Sequence, residues 1–373
     1  MIQKPKLKSF LTIFPISETT WGVRGGSDEL WRIKLRDQKA FSVFSGVLPY
    51  LDGQYTLESI FSLLADRGIG REEIQQLVQR LEQASLIEES NGFHLSPQDE
   101  EQFESQITFF SRYSQEGGAK YQSRLRDSRV GLIGDGKLSL TLQRQLLESG
   151  FGEVVALGGS KAQGGLTELG ENQMAGSRAG RLKLRDLQRD EIWPEGDPDR
   201  PKLFLVAQEA DDPQLLQSVD AFSKRTRTPW LLVRALEIST GWVGPLFIPD
   251  ETACYLSLEA RLRGNLSFFP EHQAFTEHLR QQDRPSAPCG GLHAFFELLS
   301  GIAVTETIKY LAELGLPALA GRFLTINLGS WEIEFHDVLR LPRIHLDLSR
   351  PRLFAWKEVS YEDIGEGAHT RRA

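Results

Sequence analysis

The segment RVGLIGDGKLS, Arg129–Ser139, joins a short apolar run to an amphipathic one through Gly134 and Gly136. A strand that turns on glycines into a helix is the opening unit of an open α/β sheet. The residues beyond Ser139 keep to that alternation. KLSLTLQRQLLESG reads as a helix closed by Gly150, EVVALGG as a strand, KLFLVA as a strand, DPQLLQSVDAFSKR as a helix and PWLLVRA as a strand. Strands alternating with helices predict a mostly parallel sheet with helices on both faces. A long apolar helix, LHAFFELLSGIAVTETIKYLAELG, comes next, and RFLTINLGSWEIEFHDVLRLP reads as two strands meeting at Gly329-Ser330. Residues 158–180, rich in Gly, Ser and Ala, are expected to form a loop.

The glycine loop departs from a working dinucleotide fingerprint, which needs G-x-G-x-x-G and an acidic residue at the end of the second strand to hold ribose. Gly134 and Gly136 are present, but Ser139 stands in the third position and VVALGGS ends in Gly158-Gly159 without a carboxylate. Asp135 adds a negative charge inside the loop, where a phosphate would lie. Gly134, Gly136 and Ser139 are therefore read as a vestigial nucleotide loop, and no ATP cofactor is expected.

Ahead of this unit, residues 1–95 read as a separate winged-helix-like module. FLTIFPI and TWGVRGG are strand-like, and ELWRIKLR alternates apolar Trp31, Ile33 and Leu35 with basic Arg32, Lys34 and Arg36, the period of a half-buried strand. KAFSVFSGVLPYL, TLESIFSLLADRG and REEIQQLVQRLEQASL read as helices, the last with Ile74, Leu77, Val78 and Leu81 at helical spacing. LIEESNGFHLS reads as a hairpin around Asn91-Gly92. Residues 96–124 are read as a partly helical linker that docks on a neighbour, residues 125–356 as the α/β domain, and residues 357–373 as a charged, fraying tail.

Composition narrows the function classes. The net charge is −8, and residues 1–95 carry eleven Lys/Arg against twelve Asp/Glu, so the module lacks the basic surface that phosphate neutralisation requires. No nucleic-acid partner is expected. The first residues are not expected to act as a signal peptide, and no run approaches the ~18 apolar residues of a membrane span. Two cysteines, Cys254 and Cys289, cannot build a disulfide framework. A cytoplasmic protein without a membrane partner is expected.

Three blocks in this order, RVGLIGDGKLS…LLESGFGEVVAL, GPLFIPDETACYLSLEARLRGN and GIAVTETIKYLAELG, resemble the ThiF-like, ubiquitin-activating-type adenylyltransferase fold over about Arg129–Leu348. Residues 1–95, with PYLDGQYTLESI, resemble the PqqD-like precursor recognition element of peptide natural-product pathways. Together they resemble the cyclodehydratase partner proteins of azoline-forming (thiazole/oxazole-modified microcin) pathways.

The resemblance implies a subunit that binds the leader of a ribosomally made precursor peptide and presents it to a YcaO-type ATP-dependent cyclodehydratase, which forms azolines from Cys, Ser or Thr. It also implies a homodimer. The leader is expected on the edge formed by Trp31, Arg32, Ile33, Lys34 and Leu35, over a groove floored by Ile74, Leu77, Val78 and Leu81. A proline at Ile33 is expected to disturb that edge most, and the basic side chains to attract an acidic leader. Relatives carry two C-x-x-C pairs forming a four-thiolate zinc site. Here the first pair reads Cys254 and Ser257, and Ile344 and Asp347 stand at the second; Cys289 is off the pattern and the spacing of His345 does not restore it. No zinc and no catalytic residue are expected. Two alternatives stay open: an ATP-dependent ThiF-like adenylyltransferase, and a peptide-binding partner of a different modifying enzyme.

Overall fold

The computed structural model describes residues 2–25, 30–90, 95–113, 117–158, 181–187, 191–194, 196–237, 239–266, 268–282 and 291–341. The Asn91-Gly92 turn, the loop from Gly159, Cys289, and the stretch holding Ile344, His345, Asp347 and the tail lie outside the described residues.

The front of the chain holds β1 (Pro5–Leu7), β2 (Thr12–Ser17), β3 (Thr20–Arg24) and β4 (Leu30–Lys34). Helices α1 (Gln38–Val47), α2 (Leu57–Ala65) and α3 (Arg71–Gln83) come next, then β5 (Ile87–Glu89). Local chemistry starts each helix. Asp37 accepts from the Ala40 N–H at 2.8 Å and Thr56 from the Ser59 N–H at 3.1 Å, while Glu73 reaches back to the Gly70 N–H at 3.0 Å. Strands β2, β3 and β4 form an antiparallel sheet in that order. Its inner face, with Trp21 and Val23, closes a core with Phe44, Val47, Ile60, Leu64, Ile74, Val78 and Leu81. Strand β5 pairs antiparallel with β1, a pairing that the local sequence pattern does not announce.

The segment after the module is helical and packed. It comprises α4 (Pro97–Gln102), α5 (Glu104–Ser111) and α6 (Gly118–Arg126), and its Phe110 and Leu125 lie inside the core of the large sheet.

That sheet contains β6 (Arg129–Ile133), β7 (Glu153–Gly158), β8 (Arg181–Asp186), β9 (Leu203–Gln208), β10 (Trp230–Arg234), β11 (Thr240–Phe247), β12 (Arg322–Asn327) and β13 (Glu332–Asp337). The order is β13-β12-β11-β10-β9-β6-β7-β8. The run from β10 to β8 is parallel, and β11, β12 and β13 extend it antiparallel. The result is the mixed, mostly parallel α/β sheet that the alternation predicts. Its helices are α7 (Lys137–Glu148), α8 (Pro213–Thr226), α9 (Tyr255–Gly264), α10 (Phe269–Gln282) and α11 (His293–Ala312). The parallel strands are apolar on both sides because both sides are covered. Leu203 and Leu205 of β9 face α7 and α11, while Phe204 and Val206 face α8 and α9. No helix among the described residues is long and apolar enough to cross a membrane.

Candidate functional site

Two places in the fold bear on function: the edge of the small sheet and the glycine loop of the large one.

The register of the small sheet separates the two faces of β4. Trp31 lies opposite Val23 and Ile33 opposite Trp21, whereas Arg32 lies opposite Gly22 and Lys34 opposite Thr20. Paired residues share a face. Trp31 and Ile33 thus belong to the core side, with Val23 fully buried and Trp21 packed against Phe41 and Phe44. Arg32 and Lys34 belong to the outer side, where the ring of Phe14 lies over Gly22. Because β4 is the last strand, the helices do not cover its core side fully, and Trp31 remains 43% exposed.

Backbone direction is set by one bond. The Leu35 N–H donates to the Thr19 carbonyl at 2.8 Å. Hydrogen-bonded pairs alternate in an antiparallel ladder, so Ile33 and Trp31 also direct their N–H and C=O groups to β3. Those of Arg32 and Lys34 point away, to an edge that no strand among the described residues occupies. This corrects the expectation for proline: at Ile33 it would break the sheet itself, whereas the edge donors are Arg32 and Lys34. The opposite edge is blunted. Pro15 stands across from Trp21, at a position facing outward with no N–H to give, and the register shifts between Pro15 and Ser17.

The expected groove floor is largely core. Ile74, Val78 and Leu81 are 0%, 1% and 3% exposed and pack under the small sheet, so they present no surface to an incoming chain. Leu77, Ile33 and Leu35 are half-buried and border that core. Helical spacing identifies the apolar side of α3, but not whether that side is already covered. Lys39, just beyond β4, forms a 2.5 Å ion pair with Glu73 of α3; this pairing pulls the Glu73 carboxyl below its usual range.

At the large sheet, β6 has β9 on one side and β7 on the other, so the strand order reverses at β6 and the crevice at the carboxyl ends of β6 and β9 is where such folds bind ligands. Gly134 and Gly136 adopt φ of +142° and +123° there, and Ser139 is buried in α7. The N-terminus of α7 is taken by the protein's own carboxylate. Glu209, directly after β9, accepts the Leu138 N–H at 2.6 Å, and a Cβ on Gly136 would fall 2.5 Å from Glu209. Burial raises the Glu209 pKa, against the lowering effects of the Leu138 N–H and Lys137. An acidic side chain thus lies at the α7 N-terminus, where it opposes a phosphate, and β7 ends in Gly158 rather than a carboxylate. Sequence reasoning missed Glu209; an acidic residue directly after an apolar strand was the available signal.

One strand further along, a 370 Å³ cavity opens at the carboxyl ends of β9 and β10, with Arg234, Trp242, Tyr255 and His272 in its wall. Arg234 pairs with Asp211 at 2.8 Å and lies 5.3 Å from the centre of the Trp242 ring.

At the start of α9, Cys254 Sγ lies 3.6 Å from Ser257 Oγ, and Ser257 Oγ accepts the Leu341 N–H at 3.3 Å. Arg261 donates to the Leu339 carbonyl and Arg340 to that of Asp250, both at 2.8 Å. Hydrogen bonds therefore fasten the stretch after β13 to α9 and to the turn before it. Among the described residues no group of three or more His, Cys, Asp or Glu is placed to hold a metal.

The sequence matches no family model and no curated protein. Solved structures do match in fold. The heterocyclase TruD aligns with a TM-score of 0.61 at 22% identity, over 91% of this chain and 42% of its own. A heterocyclase in complex with substrate and cofactor aligns at 0.59 and 19% identity, over 91% and 38%. E. coli MccB with MccA-N7isoAsn aligns at 0.59 and 14% identity, over 91% and 98%. The chain thus has the fold of MccB over nearly that protein's whole length, and spans less than half of the two heterocyclases.

Proposed function

We propose that this chain is a non-catalytic subunit of an azoline-forming complex: it captures the leader of a precursor peptide and presents the rest to a YcaO-type cyclodehydratase. The observation that carries this reading is the open edge of β4, with the backbone groups of Arg32 and Lys34 directed outward and Trp31 exposed beside them. An extended peptide adding to such an edge gains main-chain hydrogen bonds, with side-chain contacts at alternate positions. The similarity to a heterocyclase solved in complex with substrate and to MccB solved with MccA-N7isoAsn supports a substrate held by this fold, which we take to be a peptide. The loop filled by Glu209 supports a scaffold that does not bind ATP and leaves catalysis to its partner. Holding the precursor by its leader raises the concentration of the remainder at the partner's active site. The edge of β13, which no strand among the described residues occupies, carries exposed Ile333 and Phe335 and supports assembly as a homodimer.

The test is a search of the neighbouring genes for a short peptide rich in Cys, Ser or Thr, followed by fluorescence polarisation with its labelled leader on the full chain and on Arg32→Pro. Saturable binding that Arg32→Pro abolishes, with unfolding unchanged, is the expected result. Binding indifferent to Arg32→Pro would move the site away from β4.

A further inference from the structure

We infer that the cavity at the carboxyl ends of β9 and β10 receives a finished azoline ring of the precursor peptide, in preference to the Cys, Ser or Thr residue from which the ring is made. This rests on the azoline-forming reading above and gives it a second site, away from β4. The cavity measures 370 Å³, a size that encloses a small organic group. Its apolar wall comes from Leu236, Trp242 and Leu262, the last two packed on the core of that side of the sheet. Both guanidinium groups in the lining are already paired, Arg234 with Asp211 at 2.8 Å and Arg263 with Glu259 at 2.7 Å. Exposed Glu237 adds a negative charge to the lining. The cavity therefore gives a carboxylate or phosphate no unpaired guanidinium, and it favours an uncharged guest.

One polar group in the wall lacks a partner. Tyr255 is 6% exposed and Asp220 accepts its backbone N–H at 3.0 Å, yet its hydroxyl makes no hydrogen bond among the described residues. The charges that act on this phenol are those of Glu259, Arg234, Asp211 and Arg263, all in the cavity lining, so the hydroxyl faces the cavity. Burial pushes the phenol up, which keeps its proton in place and leaves it a donor. A buried donor without an acceptor is costly, and a guest with one acceptor removes that cost. Ring formation makes such a guest. The side-chain oxygen or sulfur bonds to the preceding carbonyl carbon, the carbonyl oxygen leaves as water with the side-chain and amide protons, and the amide C–N becomes C=N. The ring carries an acceptor nitrogen, no donor and an apolar body. The uncyclised residue brings an N–H and a thiol or hydroxyl instead, and the half-buried carboxylates of Asp211 and Glu259 are taken by arginines. Held by leader and ring together, a partly modified peptide stays on the scaffold longer than an unmodified one.

The experiment is a ligand-observed NMR titration of the full chain with three probes: 2-(acetamidomethyl)-thiazoline-4-carboxamide, its uncyclised parent N-acetylglycyl-cysteinamide, and the same thiazoline with a free 4-carboxylate. The thiazoline amide is expected to bind about tenfold tighter than its parent. Tyr255→Phe should weaken the thiazoline amide about three- to tenfold and leave the parent unchanged, and Leu262→Trp, which fills the cavity, should abolish binding. Tyr255→Phe should unfold no earlier than wild type, because the hydroxyl it removes has no partner in the fold; an earlier midpoint would give that hydroxyl a structural role and overturn the assignment. Equal binding of ring and parent, tighter binding of the carboxylate, or no saturation by any probe overturns the ring site. Ring binding that ignores both substitutions overturns its location. None of these results bears on leader capture, which Arg32→Pro reads separately. Leader affinity that survives Arg32→Pro would move the leader's site and leave the ring's standing.

Discussion

The Glu209 carboxylate accepts a hydrogen bond from the Leu138 N–H at 2.6 Å across 71 positions of sequence. It ties the end of β9 to the first turn of α7 and puts a negative charge on the helix N-terminus that the glycine turn exposes. Titration calorimetry of the full chain with ATP and Mg²⁺ is therefore expected to give no saturable heat. Micromolar binding, or exchange of pyrophosphate into ATP, would show that Glu209 moves aside and would favour an adenylyltransferase.

Stability should respond to pH through Glu88. This carboxyl is 4% exposed at the junction between the front module and the α5–α6 turn, and burial raises its pKa despite bonds from Ser111 and the Gly118 N–H and the charges of Lys6 and Lys8. A folded pKa above the unfolded one means that the folded chain binds the extra proton. The stability it contributes is complete below the ordinary carboxylate value of about 4.3 and is lost as pH rises through the folded value. Glu88→Gln should thus melt above wild type at pH 7, and the two should converge near pH 4. A variant less stable than wild type at pH 7 would mean that pairing with the lysines outweighs burial.

The same junction contains a steric limit. A Cβ on Gly118 would lie 1.9 Å from the Ile107 carbonyl oxygen, a backbone atom that cannot rotate away. Gly118→Ala should cost about 1–3 kcal/mol as α5 and α6 are forced apart. Chemical denaturation measures this, and an unchanged midpoint would show that the turn relaxes freely.

Elemental analysis of protein purified without a metal-binding tag should find less than one zinc per ten chains. The Cys254–Ser257 pair offers one thiolate, and Ser257 already accepts the Leu341 N–H. One zinc per chain would place further ligands among residues outside the described set.

The parallel strands were legible because burial on both faces makes them continuous apolar runs, as in LFLVAQ and WLLVR. Strand β11 was not, since TGWVGPLF carries two glycines and a proline, each of which argues against a strand. Gly241 lets α11 pack closely, because a Cβ there would meet the side-chain ends of Leu299 and Phe295. Strand β8, RLKLRD, is short and polar on alternate positions, and α10 has no clear apolar face in its sequence. In the front module, alternation identified β4, yet only the Leu35–Thr19 bond says which of its backbone groups are free. For Glu209 the sequence offered only its place directly after an apolar strand; its partner, the Leu138 N–H, lies on another strand's helix 71 positions away.

An edge kept open for a guest is also open to a twin. Two β4 strands meeting edge to edge would bring Arg32 and Lys34 of one copy against those of the other, and like charges facing each other across a ladder repel. The two side chains that would draw in an acidic peptide therefore also act as gatekeepers against self-pairing. If the proposed peptide binds at β4, resistance to self-pairing and choice of guest would both depend on Arg32 and Lys34, so a change made for one would alter the other.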